Sequence, residues 1–278
     1  CNSVIATRMA SKIADYVVTE AGFGADLGAE KFIDIKCRKT GLKPSAVVIV
    51  ATLKALKYNG GVGKHDLGIE NLEALERGLP NLLKHVENVT QIFNLPAVVA
   101  INKFPTDTDD ELKLIKERCK ELGVNAVLSE VWAKGGEGGI ELAREVLKLT
   151  EKKVELNFAY DLKLPIKEKI KLIAKKLYGA DDVDFTTKAN KEILNFEKLG
   201  FGCLPICMAK NQYSLTDNPK LLGRPNGFNI TIRDISISAG AGFLVALTSD
   251  IMKMPGLPKV PSAEKIDVDA NGRIQGLF

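Results

Sequence analysis

DYVVTEAGFGADLGAEKF, residues 15–32, is the stretch that decides the fold class of this chain. Residues 16–18 are a short apolar run of β-favouring side chains, which predicts a buried strand. Two glycines then break the pattern, and residues 27–33 resume at helical spacing. A strand, a glycine loop and a helix in this order form an α/β unit, and the loop of such a unit lies at the carboxyl end of a parallel strand.

Two carboxylates, Glu20 and Asp26, flank the glycines of this loop. Ligands bind where such loops meet the ends of parallel strands, so the acids are candidates for a ligand site. The same residues fit a purely structural role, in which the glycines permit a tight turn and the acids cap the following helix. The local pattern leaves both interpretations open.

Composition limits the class of protein. Its length of 278 residues is enough for roughly two domains of ordinary size. With 45% hydrophobic and 27% charged residues, the chain is predicted to be soluble and globular. A net charge of +4 is too small to indicate a nucleic-acid partner. No apolar run approaches the ~18 residues of a membrane span, and the amino terminus lacks the pattern of a secretory signal.

The cysteines indicate a reducing compartment. There are five of them, an odd number without a paired framework, which predicts a cytoplasmic protein without disulfides. Cys203 and Cys207 lie in the apolar run CLPICMA without histidines nearby, so buried packing is predicted there rather than a zinc site. The two histidines, His65 and His85, are predicted to be solvated.

Further strands and helices alternate along the chain, as in an α/β protein. Apolar runs predict strands at residues 46–52, 96–101, 125–128, 204–209, 228–232 and 243–247. Helical patterns cover residues 70–93, 108–122, 140–150, 166–177 and 187–199, the first expected to be interrupted at Gly78 and Pro80. Thr108 and Glu111 form a capping box, whereas residues 181–184 (DDVD) are expected to be a capping loop rather than a metal site.

Lys54 and Lys57 belong to a basic, glycine-rich segment that follows the strand at 46–52. The segment lacks the Gly-x4-Gly-Lys-Ser/Thr pattern of a Walker A loop. A basic loop beside an acidic one suits a phosphorylated substrate and its metal ion. A solvated run of charges would have the same sequence, so this pattern is also ambiguous.

Phe104 and Trp132 each stand just past the end of a predicted strand, in equivalent places of one βαβ unit. Two aromatic side chains at such positions could hold a flat heterocycle by stacking. Aromatic residues are more often part of the core, so the pattern alone favours packing over a ligand clamp.

Five blocks of sequence resemble formate–tetrahydrofolate ligase, also called 10-formyltetrahydrofolate synthetase. They are TEAGFGADLGAEKF, VATLKALKYNGGV, AINKFPTDTDDE, SEVWAKGGEGG and the tail MPGLPKVPSAEKIDVDANGRIQGLF. The resemblance runs from end to end of the chain. VATLKALKYNGG is similar to the family signature VATxRALKxxGG, with Lys54 in place of an arginine, which keeps the charge and loses the planar fork.

The resemblance implies an enzyme of one-carbon metabolism. Formate attacks the γ-phosphate of ATP, accompanied by Mg2+, to give formyl phosphate, and N10 of tetrahydrofolate then takes the formyl group. The family also implies a monovalent cation (NH4+ or K+) and a homotetramer. Its P-loop would belong to an amino-terminal half outside these 278 residues, which makes that half an expected partner. The implied fold is a P-loop NTPase-like nucleotide domain, represented by its carboxyl-terminal part at residues 1–93, then α/β domains at 94–180 (folate-binding) and 181–278.

The resemblance also implies roles for individual residues. Phe104 and Trp132 would sandwich the pterin of the folate. Gly22, Phe23 and Gly24 would lie between the folate and formyl phosphate. A phosphate or metal neighbourhood would comprise Glu20, Asp26, Lys54 and Lys57, with no acid assigned a proton transfer. The alternative from another class is a non-catalytic folate-binding or assembly module that lacks the P-loop.

Overall fold

A three-stranded parallel sheet organises the first half of the computed structural model, which describes residues 3–248, 260–271 and 273–276. Its strands are β1 (Val47–Ala51), β2 (Ala97–Asn102) and β3 (Asn125–Ser129), in the order β1-β2-β3. The register pairs Ala51 with Ile101 and Asn102 with Ser129, so the three strands end at one edge of the sheet. The three strands predicted for this part of the chain are confirmed.

Helices precede and connect these strands, and several of them pack against the sheet. They are α1 (Val4–Ile13), α2 in three consecutive segments (Ala25–Ala29, Lys31–Cys37 and Arg38–Thr40), α3 (Leu53–Asn59), α4 (Leu72–Glu87), α5 (Asp109–Glu121), α6 (Val131–Lys134) and α7 (Ile140–Thr150). The first two segments of α2 have the wider winding of a π-helix, and so does Asn88–Ile92, which extends α4. The capping box predicted at Thr108 is present at the start of α5.

The strand predicted at residues 16–18 is wrong. This segment has no regular secondary structure and pairs with no strand in the part of the chain that the structure describes. Tyr16 is 64% exposed and Val18 is 97% exposed. A β-favouring run forms a strand only where another strand supplies hydrogen-bond partners and a surface to pack on. The glycine loop and the helix that follow are confirmed, the helix being α2.

Helix α4 is continuous, although Gly78 and Pro80 were expected to interrupt it. Its buried face packs in the core through Leu75, Leu79 and Leu82. Gly78 is needed because a Cβ there would collide with the backbone carbonyl of Leu56 on α3. Burial of this face outweighs the ~3 kcal/mol cost of a proline inside a helix.

The second half of the chain adds two small sheets and two helices. The strands are β4 (Asp182–Phe185), β5 (Ile206–Ala209), β6 (Asn229–Ile232), β7 (Asp234–Ser238) and β8 (Phe243–Leu247), and the helices are α8 (Ile166–Ile173, extended by Ala174–Tyr178) and α9 (Thr187–Lys198). β4 pairs with β6 in parallel, while β8 lies between parallel β5 and antiparallel β7. The capping loop expected at residues 181–184 is therefore wrong, because Asp182 begins a paired strand.

One cluster of buried side chains joins the two halves. It includes Val99 and Ile101 from β2, Ile170 from α8 and Leu244 from β8. The three predicted domains thus contribute to a common core, and their boundaries stay a prediction. A short hairpin of β9 (Asp267–Val268) and β10 (Ile274–Gln275) follows. The start of the tail block, residues 254–259, lies outside the described residues.

Several expected burial patterns are different in the structure. The helical pattern of residues 140–150 predicts that Ala143, Val146 and Leu147 face inward. In α7, however, Ala143 and Leu147 are exposed and Leu149 is the buried residue. Cys203 is exposed and Cys207 is half-buried, so the packing predicted for this pair is wrong for Cys203. No described helix has both the length and the apolar character needed to cross a membrane.

Candidate functional site

Three turns lie side by side where the strands of the first sheet end. Lys54 follows β1 by three residues, and Phe104 stands at the equivalent distance past Ile101 of β2. Trp132 follows β3 on α6. We call Lys54, Phe104 and Trp132 the strand-end site. The carboxyl edge of a parallel sheet is the usual place for ligands in α/β proteins, so this arrangement is a candidate binding site.

A hydrogen bond within its own turn fixes the position of Phe104. The Phe104 backbone N–H donates to a carboxylate oxygen of Asp107 over 2.8 Å. Asp107 is only 8% exposed, and burial raises the pKa of its carboxyl group while this hydrogen bond opposes the rise. The capping box of Thr108 and Glu111 fixes the helix that begins immediately afterwards. The Phe104 ring is half-buried, with part of its surface open to solvent.

Lys54 contacts Phe104 directly. Its ammonium nitrogen lies 4.8 Å from the centroid of the Phe104 ring, a cation–π geometry. Lys54 is in the first turn of α3, whose start is fixed by the Thr52 hydroxyl accepting a hydrogen bond from the backbone N–H of Ala55. The basic segment expected here to be a loop is therefore helical up to Asn59.

Trp132 is the most exposed residue of the strand-end site. Its side chain is 72% exposed, and within the described chain no ring contact joins it to Phe104. The backbone N–H of Glu130 donates to the carbonyl of Gly138, which closes the loop that carries the indole. A Cβ at Gly138 would collide with the Glu130 backbone, so this close approach requires glycine. The exposed indole has an open face for a ligand.

The glycine loop lies against the start of α2. Phe23 has a φ of 64°, an uncommon conformation for a residue with a side chain, and its ring is 71% exposed. Gly28 packs so closely on this loop that a Cβ would collide with the Gly22 carbonyl. Glu20 and Gly22 are exposed, whereas Gly24 is half-buried. The loop therefore presents its backbone and one aromatic ring to solvent.

Asp26, by contrast, is buried in an ion pair. One carboxylate oxygen lies 3.0 Å from the ammonium of Lys210, and the other lies 4.0 Å from Nδ1 of His85. A cavity of about 70 Å3 lies beside these groups, lined also by Gly24 and Ser214. The ammonium of Lys210 also donates to the Ser214 carbonyl. Asp26 thus has a charged partner inside the protein.

His85 corrects the prediction that both histidines are solvated, because only His65 is exposed. The His85 side chain is 15% exposed, and burial lowers its pKa, with Asp26 opposing the shift. The His85 ring lies against Gly24. A Cβ at Gly24 would be only 3.0 Å from Cε1 and 3.4 Å from Nε2 of this ring. Burial likewise lowers the pKa of Lys210, again opposed by Asp26.

Two further acids on α2, Glu30 and Asp34, are completely buried. Burial raises the pKa of Glu30 well above its usual value, and neither carboxylate oxygen has a hydrogen-bond partner among the described residues. Burial raises the pKa of Asp34 to about 6, although Arg38 at 2.9 Å opposes the shift. We call Asp26, Glu30, His85 and Lys210 the buried charge cluster. The four-residue spacing of the acids was the signal in the sequence that could have indicated a shared helix face.

Lys57 also lies inside the protein. It is fully buried, and its ammonium is 3.0 Å from a carboxylate oxygen of Glu111 and 2.9 Å from the carbonyl of Ile69. Glu111 additionally accepts a hydrogen bond from the backbone of Asn71. The structure therefore brings Lys54 to the strand-end site and separates Lys57 from it.

The donor set for a metal ion is absent from this part of the molecule. Within residues 3–248, 260–271 and 273–276, no group of three or more histidine, cysteine, aspartate or glutamate side chains is arranged to hold a metal ion. Asp26, the best placed acid of the expected metal neighbourhood, is paired with Lys210. These residues alone do not fit a magnesium site, and no step through the metal is derived from them.

Comparison with known protein families identifies the family of the chain. The family model described as formate–tetrahydrofolate ligase (FTHFS) matches residues 1–278. A mixed α/β structure with parallel sheets is consistent with that family. Membership implies ligation of formate to tetrahydrofolate at the expense of ATP, a reaction of one-carbon metabolism. The chain belongs to the formate–tetrahydrofolate ligase family.

Proposed function

We propose that this chain supplies the folate-binding half of a formate–tetrahydrofolate ligase, with the pterin between Phe104 and Trp132. The observation that carries the proposal is the position of both rings at the ends of paired parallel strands, β2 and β3. The exposed indole of Trp132 supports it, since a core tryptophan would be dry. The family resemblance supplies the identity of the heterocycle.

The second chemical step explains what such a site must do. N10 of tetrahydrofolate forms a bond to the formyl carbon of formyl phosphate, and the bond from that carbon to the phosphate oxygen breaks. The electron pair leaves with phosphate, and N10 loses its proton. A stacked pterin fixes the direction of attack, and this positioning contributes to the rate. In our proposal, Gly22, Phe23 and Gly24 line the space between the two reactants.

The proposed phosphate or metal neighbourhood has two kinds of members. Glu20 and Lys54 are accessible to a ligand, since one is exposed and the other half-buried. Asp26 and Lys57 are each paired inside the protein, so we propose that they act by holding the glycine loop and α3 in place. No residue is assigned the proton transfer.

ATP binding is proposed to need a segment other than these 278 residues. These 278 residues contain no Gly-x4-Gly-Lys-Ser/Thr motif, and the family resemblance implies that the P-loop belongs to an amino-terminal half. We therefore expect the 278-residue polypeptide alone not to release ADP from ATP in a formate-dependent manner. A coupled ADP assay on the purified chain measures this directly. Formate-dependent ADP release would contradict the expectation.

A non-catalytic folate-binding module is the second candidate function. Tetrahydrofolate binding without ATP turnover, even when an amino-terminal P-loop half is supplied, would support the module. Recovery of turnover on adding that half would support the ligase. By family likeness we also propose a homotetramer that uses ATP with Mg2+ and a monovalent cation, and sedimentation of the intact enzyme tests the oligomer.

The folate site itself is tested by fluorescence. Trp132 is the single tryptophan of the chain, so its emission reports on one place. We expect tetrahydrofolate to quench or shift the emission saturably. An emission that does not respond to saturating tetrahydrofolate in the intact enzyme would contradict the clamp. Trp132→Phe keeps a stacking ring and removes the indole, so the emission of this variant is the background to subtract, and free tryptophan titrated with the same ligand corrects for inner-filter absorption.

A further inference from the structure

The face of the Phe104 ring beside Lys54 is covered by a cation. The 4.8 Å separation between the Lys54 ammonium and the ring centroid is within the range of a favourable cation–π contact. Among the described residues the Lys54 ammonium makes no hydrogen bond and no ion pair, so its direct contact is with the Phe104 ring. The charge of Lys54 also acts to lower the pKa of Asp107, whose carboxylate accepts a hydrogen bond from the Phe104 backbone N–H.

The order of the strands separates Lys54 from Trp132. β2 lies between β1 and β3, and Lys54 follows β1 while Trp132 follows β3. Lys54 and Trp132 therefore follow the two strands that flank β2, and Phe104 follows β2 itself. This lateral order assigns a heterocycle between the two aromatic residues to the face of Phe104 away from the cation.

A cation on one face of an aromatic ring changes how the other face stacks. The face of a neutral ring is negative, and an ammonium withdraws electron density from it. The opposite face then becomes less negative and stacks better on an electron-rich partner. Tetrahydropterin is such a partner, because the amine nitrogens of its reduced ring donate into the pyrimidinone. Fully oxidised pterin is electron-poor by comparison.

We propose that Lys54 is a positioning and specificity residue of the folate site, which braces Phe104 and makes its free face prefer the tetrahydro form of the pterin over the oxidised form. This inference rests on the proposed clamp of Phe104 and Trp132. The proposed role of Lys54 depends on a positive charge over the ring and does not depend on bidentate hydrogen bonds. An arginine, as in the family signature, would serve in the same place because a guanidinium also stacks on aromatic faces.

The test compares the affinities for two ligands in variants of the intact enzyme. Lys54→Met keeps the length of the side chain and removes its charge, and Lys54→Arg restores the charge. Dissociation constants for tetrahydrofolate and for folic acid are measured by anaerobic titration calorimetry. We expect Lys54→Met to weaken tetrahydrofolate binding about threefold and to weaken folic acid binding less. Lys54→Arg should keep the native preference.

Three outcomes would overturn the inference: no change in either dissociation constant in Lys54→Met, an equal fold loss for both ligands, or an effect confined to the KM for ATP or formate. The equal loss would indicate a structural role, and the last would place Lys54 at phosphate. Lys113→Met, which removes an exposed lysine on α5, is the matched control and should change neither constant.

Phe104→Ala separates this inference from the proposed function. If Phe104→Ala leaves tetrahydrofolate binding unchanged, the clamp itself is wrong. If Phe104→Ala weakens binding while Lys54→Met keeps the native ratio, only the role of Lys54 is wrong. In the double variant, the effect of Lys54→Met on the ratio should disappear, because the ring that transmits the charge is gone.

Discussion

The strand-end site and the buried charge cluster are both rich in candidate functional residues, and they differ in their access to solvent. Trp132 is 72% exposed and Lys54 and Phe104 are half-buried, whereas Glu30 is completely buried and Lys210 is 5% exposed. Exposed groups can exchange water for a ligand at little cost to the fold. A buried charge needs a partner within the protein, as Asp26 and Lys210 have in each other, whereas burial raises the pKa of Glu30 and so favours its neutral form.

This difference in solvent exposure indicates that the strand-end site serves binding and that the buried charge cluster serves stability. Changes in the strand-end site should alter folate binding and leave stability nearly unchanged. Changes in the buried charge cluster should alter stability first, because each of its charges has lost its hydration. The four predictions below test this division.

The largest effect is expected from Asp26→Asn. This change leaves the Lys210 ammonium buried without its 3.0 Å partner, which should cost roughly 3–5 kcal/mol of unfolding free energy. Urea denaturation measures the loss. The double variant Asp26→Asn with Lys210→Met removes both charges and should recover much of it. A single variant as stable as the native protein would mean that the pair does not support the fold.

Trp132→Ala should reduce binding without reducing stability. An exposed side chain contributes within about 0.5 kcal/mol to unfolding, whereas loss of a stacking platform should weaken tetrahydrofolate binding by roughly 1–3 kcal/mol. Calorimetric titration and urea denaturation measure the two quantities, and Trp132→Phe should keep much of the binding. A stability loss of roughly 3–5 kcal/mol would instead be the signature of a core tryptophan.

Phe104→Ala is expected to have a smaller effect on binding. Removal of one stacking face should cost on the order of 1 kcal/mol beyond area burial, with ATP binding unchanged in the intact enzyme. Phe104→Leu, which keeps apolar bulk without the π-face, serves as the control. Normal folate affinity combined with weaker ATP binding would assign Phe104 to the nucleotide instead.

His85→Gln should change the pH dependence of stability only slightly. Burial lowers the pKa of His85 in the folded state, so the unfolded chain binds its proton first as the pH falls. The native protein should therefore lose stability relative to His85→Gln below about pH 6.5, by less than roughly 1.4 kcal/mol per pH unit. Asp26, Lys84 and Lys210 face the imidazole and are unchanged in the comparison. Parallel stability curves would show that His85 is not desolvated.

Local sequence patterns correctly predicted elements that are buried on both faces or are fixed by residues a few positions apart. β2 is buried on both faces, and its continuous apolar run from Ala97 to Ile101 indicates this. Thr108 and Glu111 cap α5 through contacts three residues apart, which the sequence contains in full. β7 (DISIS) was missed because it has no continuous apolar run, although its alternation of polar and apolar residues is typical of a half-buried strand, and its place depends on antiparallel pairing with β8.

By itself the sequence determined the parallel α/β core, the two aromatic residues past adjacent strands, and the family to which their motifs point. These features depend on residues near one another in the chain. Only the tertiary structure decided that residues 16–18 pair with no described strand, that His85 is half-buried beside Asp26, and that Lys54 covers Phe104. Each of these outcomes depends on segments far apart in sequence, whose proximity is set by strand pairing and helix packing rather than by local propensity.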